Sequence, residues 1–396
     1  MRALLSTIGS RGDVQPLLAL ALELRALGHE ARLCAPPDFG AWVEGLGFGF
    51  VPIGPEVRRA ATAPRPAGRP TPEQLRQLAE ATVSTQFATL PEAAEGCDVL
   101  VGATALQLAA RSVAERLGLP YVYVGYCPAG LPNPLVPPAP TPMYAAAEDE
   151  PAARLWERDA EHWDAMWGAA LNGHRAALGL PPVEGVRDHL FTDRPWLAAD
   201  PVLGPWPGGA ELEVWQSGAW LLPDARPLPP ELAGFLDAGE PPVYVGFGSM
   251  ALAPETGEAV LAAVRESGRR MVVLRGWAGL TPGSDGPDRL TVEEVNQTAL
   301  FRRVAAVVHH GGAGTTTAAA LAGAPQVIVP QSYDQHYWGR RVAELGVGGT
   351  TTPEGLAGTL AGALKPETAE RARALAARMP ADAAATAARK LGGLAR

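Results

Sequence analysis

Cysteine is scarce in this chain of 396 residues: Cys34, Cys97 and Cys127 stand far apart. An odd, dispersed set excludes a disulfide-stapled scaffold, and no Cys-x-x-Cys or Cys/His pair has zinc spacing. Lysine is scarcer still. Lys365 and Lys390 are the only two, and every other basic side chain is an arginine. Acidic residues outnumber basic ones by 42 to 33, a net charge of −9. That balance excludes the broad positive field by which proteins bind nucleic acid or membrane surfaces without specificity. No apolar run approaches the ~18 residues of a membrane span. The apolar start, Met1–Leu5, reaches Gly9-Ser10-Arg11-Gly12-Asp13 too early for a secretory signal core. The expectation is a cytoplasmic globular protein without membrane insertion or a nucleic-acid partner.

Glycine and proline are abundant instead, 45 and 39, together 84 of 396 residues. That fraction lies just below the ~25–30% at which aperiodic Pro and Gly signal disorder. The 47% hydrophobic content supports packed cores, so the prolines are read by position. They concentrate in three segments: six in 52–72, seven in 128–142 and ten in 195–242. Proline fixes φ and removes a donor, so these segments are expected to be stiff loops or a linker.

Between them the pattern is strand, turn, helix, strand. Arg2–Thr7 is a short apolar strand, followed by a Gly/Ser turn and a Leu-rich helix that closes on Gly28. Glu30–Ala35 completes the unit of a doubly wound parallel sheet. A second series opens at Pro242: strand Val243–Phe247, turn Gly248-Ser249, helix Thr256–Ser267, strand Arg270–Leu274, strand Val304–His309, helix Gly314–Ala322 and strand Gln326–Val329. The fold class is α/β, two Rossmann-like halves in series. The expected limits are an N-terminal domain at 1–200, a Pro-rich linker at 201–240, a C-terminal domain at 241–380 and a final helix at 381–396.

Val304–His309 runs into His310-Gly311-Gly312-Ala313-Gly314-Thr315-Thr316 and then an Ala-rich helix. Glycines let backbone N–H groups approach an anion, and a helix N-terminus adds unpaired donors and partial positive charge. A phosphate or diphosphate site is expected there. The Walker ending Gly-Lys-Ser/Thr is missing. Strand Gln326–Val329 is followed by Asp334-Gln335, at the strand end where open α/β sheets bind ligands. A carboxylate and an amide there suit sugar hydroxyls, and Asp334 equally suits the cap of the next helix.

His310-Gly-Gly-Ala-Gly-Thr-Thr with Asp334-Gln335 resembles the donor signature of the GT-B, family 1 glycosyltransferases. Further motifs narrow the resemblance to the actinobacterial natural-product group, especially the vancomycin/teicoplanin type. These are Gly9-Ser-Arg-Gly-Asp13-Val-Gln-Pro16, Cys34-Ala-Pro-Pro, Pro195-Trp-Leu-Ala-Ala-Asp200-Pro, Gln216-Ser-Gly-Ala-Trp220, Gly246-Phe-Gly-Ser249 and Arg275-Gly-Trp277. The resemblance spans essentially the whole chain. It implies two facing domains, the first for an acceptor and the second for a nucleotide-diphosphate sugar, with the last helices crossing back to the first domain. It also implies inverting transfer without a metal, and the chain holds no Asp-x-Asp.

Asp13 is the expected base for the acceptor hydroxyl, with Asp334 its rival; Asp13 as a helix N-cap is the structural alternative. Ser10, Arg11, Ser249, His310, Gly312, Ala313, Gly314, Thr315 and Thr316 are expected at the diphosphate. Asp334 and Gln335 are expected at the sugar. Trp277 and the main chain at Val295 are expected at the nucleobase, with Trp277 as a core residue the alternative. Trp156, Trp163 and Trp167 are a core stripe or an aromatic wall for an apolar acceptor. The Pro-rich loops 55–72 and 126–147 add apolar lining.

The leading expectation is hexose transfer from a UDP- or dTDP-sugar co-substrate to a bulky apolar aglycone in antibiotic biosynthesis. No cofactor is expected, and the protein is expected to be a monomer or weak dimer. A same-fold UDP-sugar epimerase and a non-catalytic auxiliary protein are the alternatives.

Overall fold

The computed structural model describes residues 1–62, 71–140, 150–209, 211–250, 252–277, 279–280, 283 and 285–394. The tips of two Pro-rich segments, 63–70 and 141–149, lie outside the described residues, so the acceptor lining expected there is not placed. Among the described residues no helix is long and apolar enough to cross a membrane.

The first half holds strands β1 (Arg2–Thr7), β2 (Glu30–Ala35), β3 (Gly49–Pro52), β4 (Val99–Ala103), β5 (Tyr121–Gly125), β6 (Trp196–Leu197) and β7 (Trp215–Gln216). They form one sheet in the order β3-β2-β1-β4-β5-β6-β7. The second half holds β8 (Val243–Gly246), β9 (Met271–Leu274), β10 (Arg289–Val292), β11 (Ala306–His309), β12 (Gln326–Ile328) and β13 (Gly348–Thr350), in the order β10-β9-β8-β11-β12-β13. Every pairing between these strands is parallel. In both sheets the order reverses beside the first strand, between β1 and β4 and between β8 and β11. Loops after such strands splay apart and leave a crevice at the strands' C-terminal ends.

Helices follow the strands. They are α1 (Arg11–Ala26), α2 (Gly40–Gly45), α3 (Val57–Thr62), α4 (Pro72–Ala93), α5 (Ala110–Leu117), α6 (Ala152–Ala177), α7 (Val186–Phe191) and α8 (Pro230–Asp237). In the second half they are α9 (Pro254–Glu266), α10 (Gln297–Phe301), α11 (Ala313–Leu321), α12 (Gln335–Glu344), α13 (Leu356–Ala363), α14 (Pro366–Ala376) and α15 (Ala383–Leu394). In α1 the side chains of Val14, Leu17, Leu18, Leu20, Ala21 and Leu24 are fully buried, the spacing of one broad apolar face. This helix starts at Arg11, three residues earlier than the leucine pattern indicates. Pro16 therefore sits in its second turn, where it lacks the N–H that would bond the Gly12 carbonyl.

Two expectations about limits change. β7 lies inside 201–240, so the first sheet extends past residue 200, and α8 also falls in the expected linker. Trp196 pairs with Trp215 across β6 and β7, ring centroids 4.5 Å apart in an edge-to-face arrangement. Two-residue strands carry no periodicity to read, and aromatic pairing across the sheet holds them. β3, β10 and β13 are also absent from the apolar pattern: β13 is Gly-Gly-Thr, and its Gly348 fits where a Cβ would stand 1.8 Å from the Gln326 carbonyl oxygen.

The Ala-rich tail does cross back. Ala383, Ala384, Ala387, Ala388 and Leu391 of α15 are buried in the same cluster as α1. Small side chains let the two helices approach closely, and Gly218 fits where a Cβ would stand 2.8 Å from that of Ala383. Trp156 and Trp167 are buried, 7% and 8% exposed, and Trp163 packs edge-on against Phe191. Trp156 and Trp167 thus take the core reading, and the Trp156 indole N–H donates to the Val136 carbonyl at 2.8 Å.

Candidate active site at the crevice between the two halves

The first turn of α1 follows β1 directly. Ser10 is its N-cap: the Gly12 N–H donates to the Ser10 hydroxyl at 3.3 Å. Asp13 reaches back and accepts from the Ser10 N–H at 2.7 Å and from the Ser10 hydroxyl at 3.2 Å. This is a capping box with aspartate in the third position. Asp13 is thus not the N-cap, and Ser10 is committed to this box rather than presented to a ligand. Gly9 leaves room for it, since a Cβ there would stand 2.2 Å from Asp13 Oδ2. Burial pushes the Asp13 carboxyl up to about 6, against the downward pull of the Ser10 hydrogen bonds. Tyr126 closes the back of the turn, its hydroxyl donating to the Asp13 carbonyl at 3.1 Å.

Arg11 leaves the same turn in another direction. Its guanidinium lies 4.7 Å from the Trp42 ring centroid and pairs with Glu294 of the second half at 2.6 Å. Arg226 shares that carboxylate at 3.4 Å. The two cations hold the Glu294 carboxyl below its ordinary range, Arg11 most. Arg11, expected at a diphosphate, is therefore engaged by Glu294 in this structure.

Across the crevice, β8 and β11 are neighbours with His309 in register with Gly246. Their loops meet, and a Cβ on Gly248 would stand 3.5 Å from the His310 ring. Gly311 has φ 94°, and a Cβ there would stand 2.7 Å from Ile328 and 3.1 Å from the Gln335 carbonyl oxygen, so only glycine makes this turn. His309 is buried and fixes the loop from below. Its Nδ1 accepts from the Gly311 N–H at 3.1 Å, and Nε2 lies 3.0 Å from Gln326 Oε1. His310 sits above it with Nδ1 buried and unpartnered, and Nε2 beside Gly312. Burial pushes the His310 imidazole down to about 4, so it is neutral at pH 7.

α11 begins at Ala313 with Gly312 as N-cap and no side-chain cap. The first-turn amides of Ala313, Gly314 and Thr315 precede any intrahelical partner. Thr316 corrects an expectation. Both its N–H (3.0 Å) and its hydroxyl (2.9 Å) bond the Gly312 carbonyl, and the side chain is fully buried. Ser249 lies on the adjoining loop after β8, where the Gly248 carbonyl accepts from the Trp277 N–H at 2.9 Å. The Trp277 indole packs at the edge of the first half's core cluster. Val295 points into the second half's core, 7% exposed, which leaves only its main chain for a ligand.

Asp334 heads α12 but bonds none of its first-turn amides. Its Oδ2 accepts instead from the Trp338 indole N–H at 3.0 Å. Burial pushes this carboxyl up to about 6; the indole bond opposes the rise, and the charge of Asp13 adds to it. Two carboxyls from opposite halves therefore sense each other. Gln335 is turned inward. Its Oε1 accepts the Gln331 and Ser332 N–H groups at 2.7 and 3.2 Å, and its Nε2 faces Met250 Sδ at 3.7 Å. It shapes the loop with its carbonyl, leaving the NH2 end alone toward the crevice loops. Tyr333 has φ 56°, an outlier for a bulky residue, and donates its N–H to the Pro140 carbonyl of the first half at 3.0 Å. Sequence reasoning missed Trp338 and Tyr333. The four-residue spacing of Asp334 and Trp338 on one helix was the signal available for the first, and nothing local marked the second.

Comparison with known proteins supports this fold. Residues 3–129 match the glycosyltransferase family 28 N-terminal domain, and residues 281–389 match the C-terminal domain of the erythromycin biosynthesis protein CIII-like family. The chain is 48% identical to a vancomycin aglycone glucosyltransferase of Amycolatopsis orientalis, over 99% of this chain and 97% of that one. It is 44% identical to a dTDP-epi-vancosaminyltransferase of the same organism, over 94% and 92%. Among solved structures, the glycosyltransferase of kitacinnamycin superposes with a TM-score of 0.72 at 20% identity, covering 99% of this chain and 98% of that one. Glycosyltransferase VinC in complex with dTDP superposes with a TM-score of 0.69 at 22% identity, covering 100% and 99%. With its two parallel sheets meeting at one crevice, the chain belongs to the vancomycin-type glycosyltransferases of the GT-B fold.

Proposed function

We propose that this enzyme moves a hexose from a UDP- or dTDP-sugar to a hydroxyl of a glycopeptide or polyketide-like aglycone, with inversion and without a metal. The observation that carries this reading is the pairing of two unlike sites across one crevice. A carboxylate raised to about 6 stands on one side, and an uncapped helix N-terminus with a neutral histidine on the other.

In this reading the acceptor oxygen attacks the anomeric carbon as its proton passes to Asp13. The bond from that carbon to the diphosphate breaks, and the electron pair leaves with the nucleoside diphosphate. The Ala313, Gly314 and Thr315 amides, with His310, receive the charge that develops there. A base with pKa about 6 is ionised at pH 7 yet more basic than an exposed aspartate, which suits proton transfer from a hydroxyl. Asp334 accepts from sugar hydroxyls, and ring hydroxyls as in glucose or N-acetylglucosamine fit it better than a multiply deoxygenated ring. The Val295 main chain and Trp277 flank the nucleobase.

The test is nucleotide release from UDP- and dTDP-hexoses, with and without a glycopeptide aglycone and with EDTA. Release that requires aglycone, persists in EDTA and yields a product of inverted anomeric configuration is expected. Sugar interconversion without aglycone would mean an epimerase instead.

A further inference from the structure

The motifs Pro195–Pro201 and Gln216–Trp220 stand far from the candidate chemistry in sequence, yet they build one rigid loop. The buried Asp200 carboxylate accepts the Val202 and Leu203 N–H groups, each at 2.8 Å, and its carbonyl accepts the Gly204 N–H at 2.8 Å. Gln216 Nε2 donates to the Ala199 and Gly204 carbonyls, each at 2.9 Å, while its Oε1 accepts the Trp206 N–H at 2.8 Å. The loop thus holds its shape through its own polar groups.

Gly204 is the notch in this loop. A Cβ there would stand 2.7 Å from Trp338 Cζ3 and 2.8 Å from Cη2. Its φ is not among the positive values, so glycine is required for space and not for backbone conformation. Trp338 of α12, 1% exposed, fills the notch from the opposite half. One turn further along α12, Arg341 Nε donates to the Leu203 carbonyl at 3.0 Å and pins the helix to the same loop. The other edge of the indole carries the N–H that meets Asp334 Oδ2 at 3.0 Å. A side chain wedged between halves and bonded to a crevice carboxylate leaves that carboxylate little rotational freedom.

We propose that Trp338 and Gly204 are positioning residues for Asp334, so that the Asp200–Trp206 loop of the acceptor half orients a sugar contact in the donor half. This rests on the reading of Asp334 as a sugar contact. It explains why an indole donor, and not the α12 amides, holds the carboxylate.

The experiment compares Trp338→Phe, Asp334→Asn and the double variant, with Gly204→Ala as an independent probe of the notch. Trp338→Phe keeps an aromatic ring on α12 facing the notch and removes the N–H. Each is assayed for KM and kcat with a nucleotide-sugar and for affinity toward UDP and dTDP alone. Expected is a loss of about tenfold in kcat/KM for Trp338→Phe, with UDP and dTDP affinity unchanged. The double variant should be little worse than Asp334→Asn, since Trp338 acts through Asp334. Gly204→Ala should lose in the same direction. If Asp334→Asn impairs the reaction while Trp338→Phe does not, or if the losses multiply, the inference fails and the reading of Asp334 stands. If Asp334→Asn has no effect, that reading fails and the inference with it. Should Gly204→Ala weaken UDP, dTDP and nucleotide-sugar binding equally, the notch is only packing and the proposal is overturned.

Discussion

Two helices begin at the C-terminal edges of the two sheets, and they treat their first turn in opposite ways. α1 fills its own N-terminus: the Asp13 carboxylate folds back onto the Ser10 N–H, completing a capping box. α11 has no side-chain cap, and glycines stand at Gly312 and Gly314. One N-terminus carries an internal anion and the other leaves its first-turn donors without a side-chain cap. In the proposed reading the same backbone physics supplies a fixed base on one side of the crevice and a leaving-group cradle on the other. Burial acts on both sides with opposite results: it raises carboxyls to about 6 and lowers imidazoles, so that Asp13 is a better base and His310 stays neutral.

The sharpest way to break this comparison is Asp13→Asn. An amide oxygen can still accept from Ser10, so the fold should persist while turnover falls by about 10²–10⁴. Unchanged turnover with an alcohol acceptor would remove Asp13 from the base role. The reverse change makes α11 resemble α1. Gly314 is exposed, and a Cβ there meets nothing within 4 Å. Gly314→Asp should weaken UDP and dTDP binding by about tenfold or more without lowering thermal stability, because the new carboxylate competes for the same positive end. Titration calorimetry would read the first effect and a thermal melt the second.

The pH dependence follows from the raised carboxyls. As the proposed base Asp13 must be ionised, so kcat/KM should fall tenfold per unit as pH drops below about 6, not below about 4. His310, lowered to about 4, contributes no limb between pH 5 and 8. A rate that stays flat down to pH 5 would contradict the burial argument. Stability carries the opposite sign. The folded Asp334 carboxyl is raised from 3.8 to about 6, so its stabilising contribution is full below pH 4 and lost as pH rises through 6. Asp334→Asn stays neutral. It should gain on the parent protein at pH 8 but not at pH 4, on the order of 1 kcal/mol at this partly buried site. Equal melting shifts at both pH values would refute this. The smallest effect belongs to Glu294. Its ion pair with Arg11 is exposed on both sides, so Glu294→Gln should change nucleotide affinity by no more than about fivefold.

Legibility differed by element. The α1 leucines, the apolar run of β1 and the turn His310–Gly314 announced themselves, because helix period, strand run and glycine turn are written in neighbouring residues. Ser10 and Thr316 were assigned to a ligand on sequence position, and the structure spends both on their own helices. That choice between local bond and ligand is made by rotamers, which a motif does not encode. β6 and β7 were illegible for another reason: Trp196–Leu197 and Trp215–Gln216 are strands only because each finds a partner about 20 residues away.

By itself the sequence determined the two α/β halves and the glycine turn at His310–Gly314, and through the resemblance of its motifs the base candidate and the family. The halves and the turn follow from contiguous patterns whose physics is local: periodic burial, caps, and glycine where the backbone turns sharply. Tertiary structure alone decided that Asp13 and Asp334 feel one another, that Arg11 turns to Glu294, and that Trp338 reaches Asp334 from a notch at Gly204. Those facts depend on distances between residues more than a hundred positions apart, set by how two packed sheets face each other. Burial, which sets both carboxyls near 6, exists only after that packing.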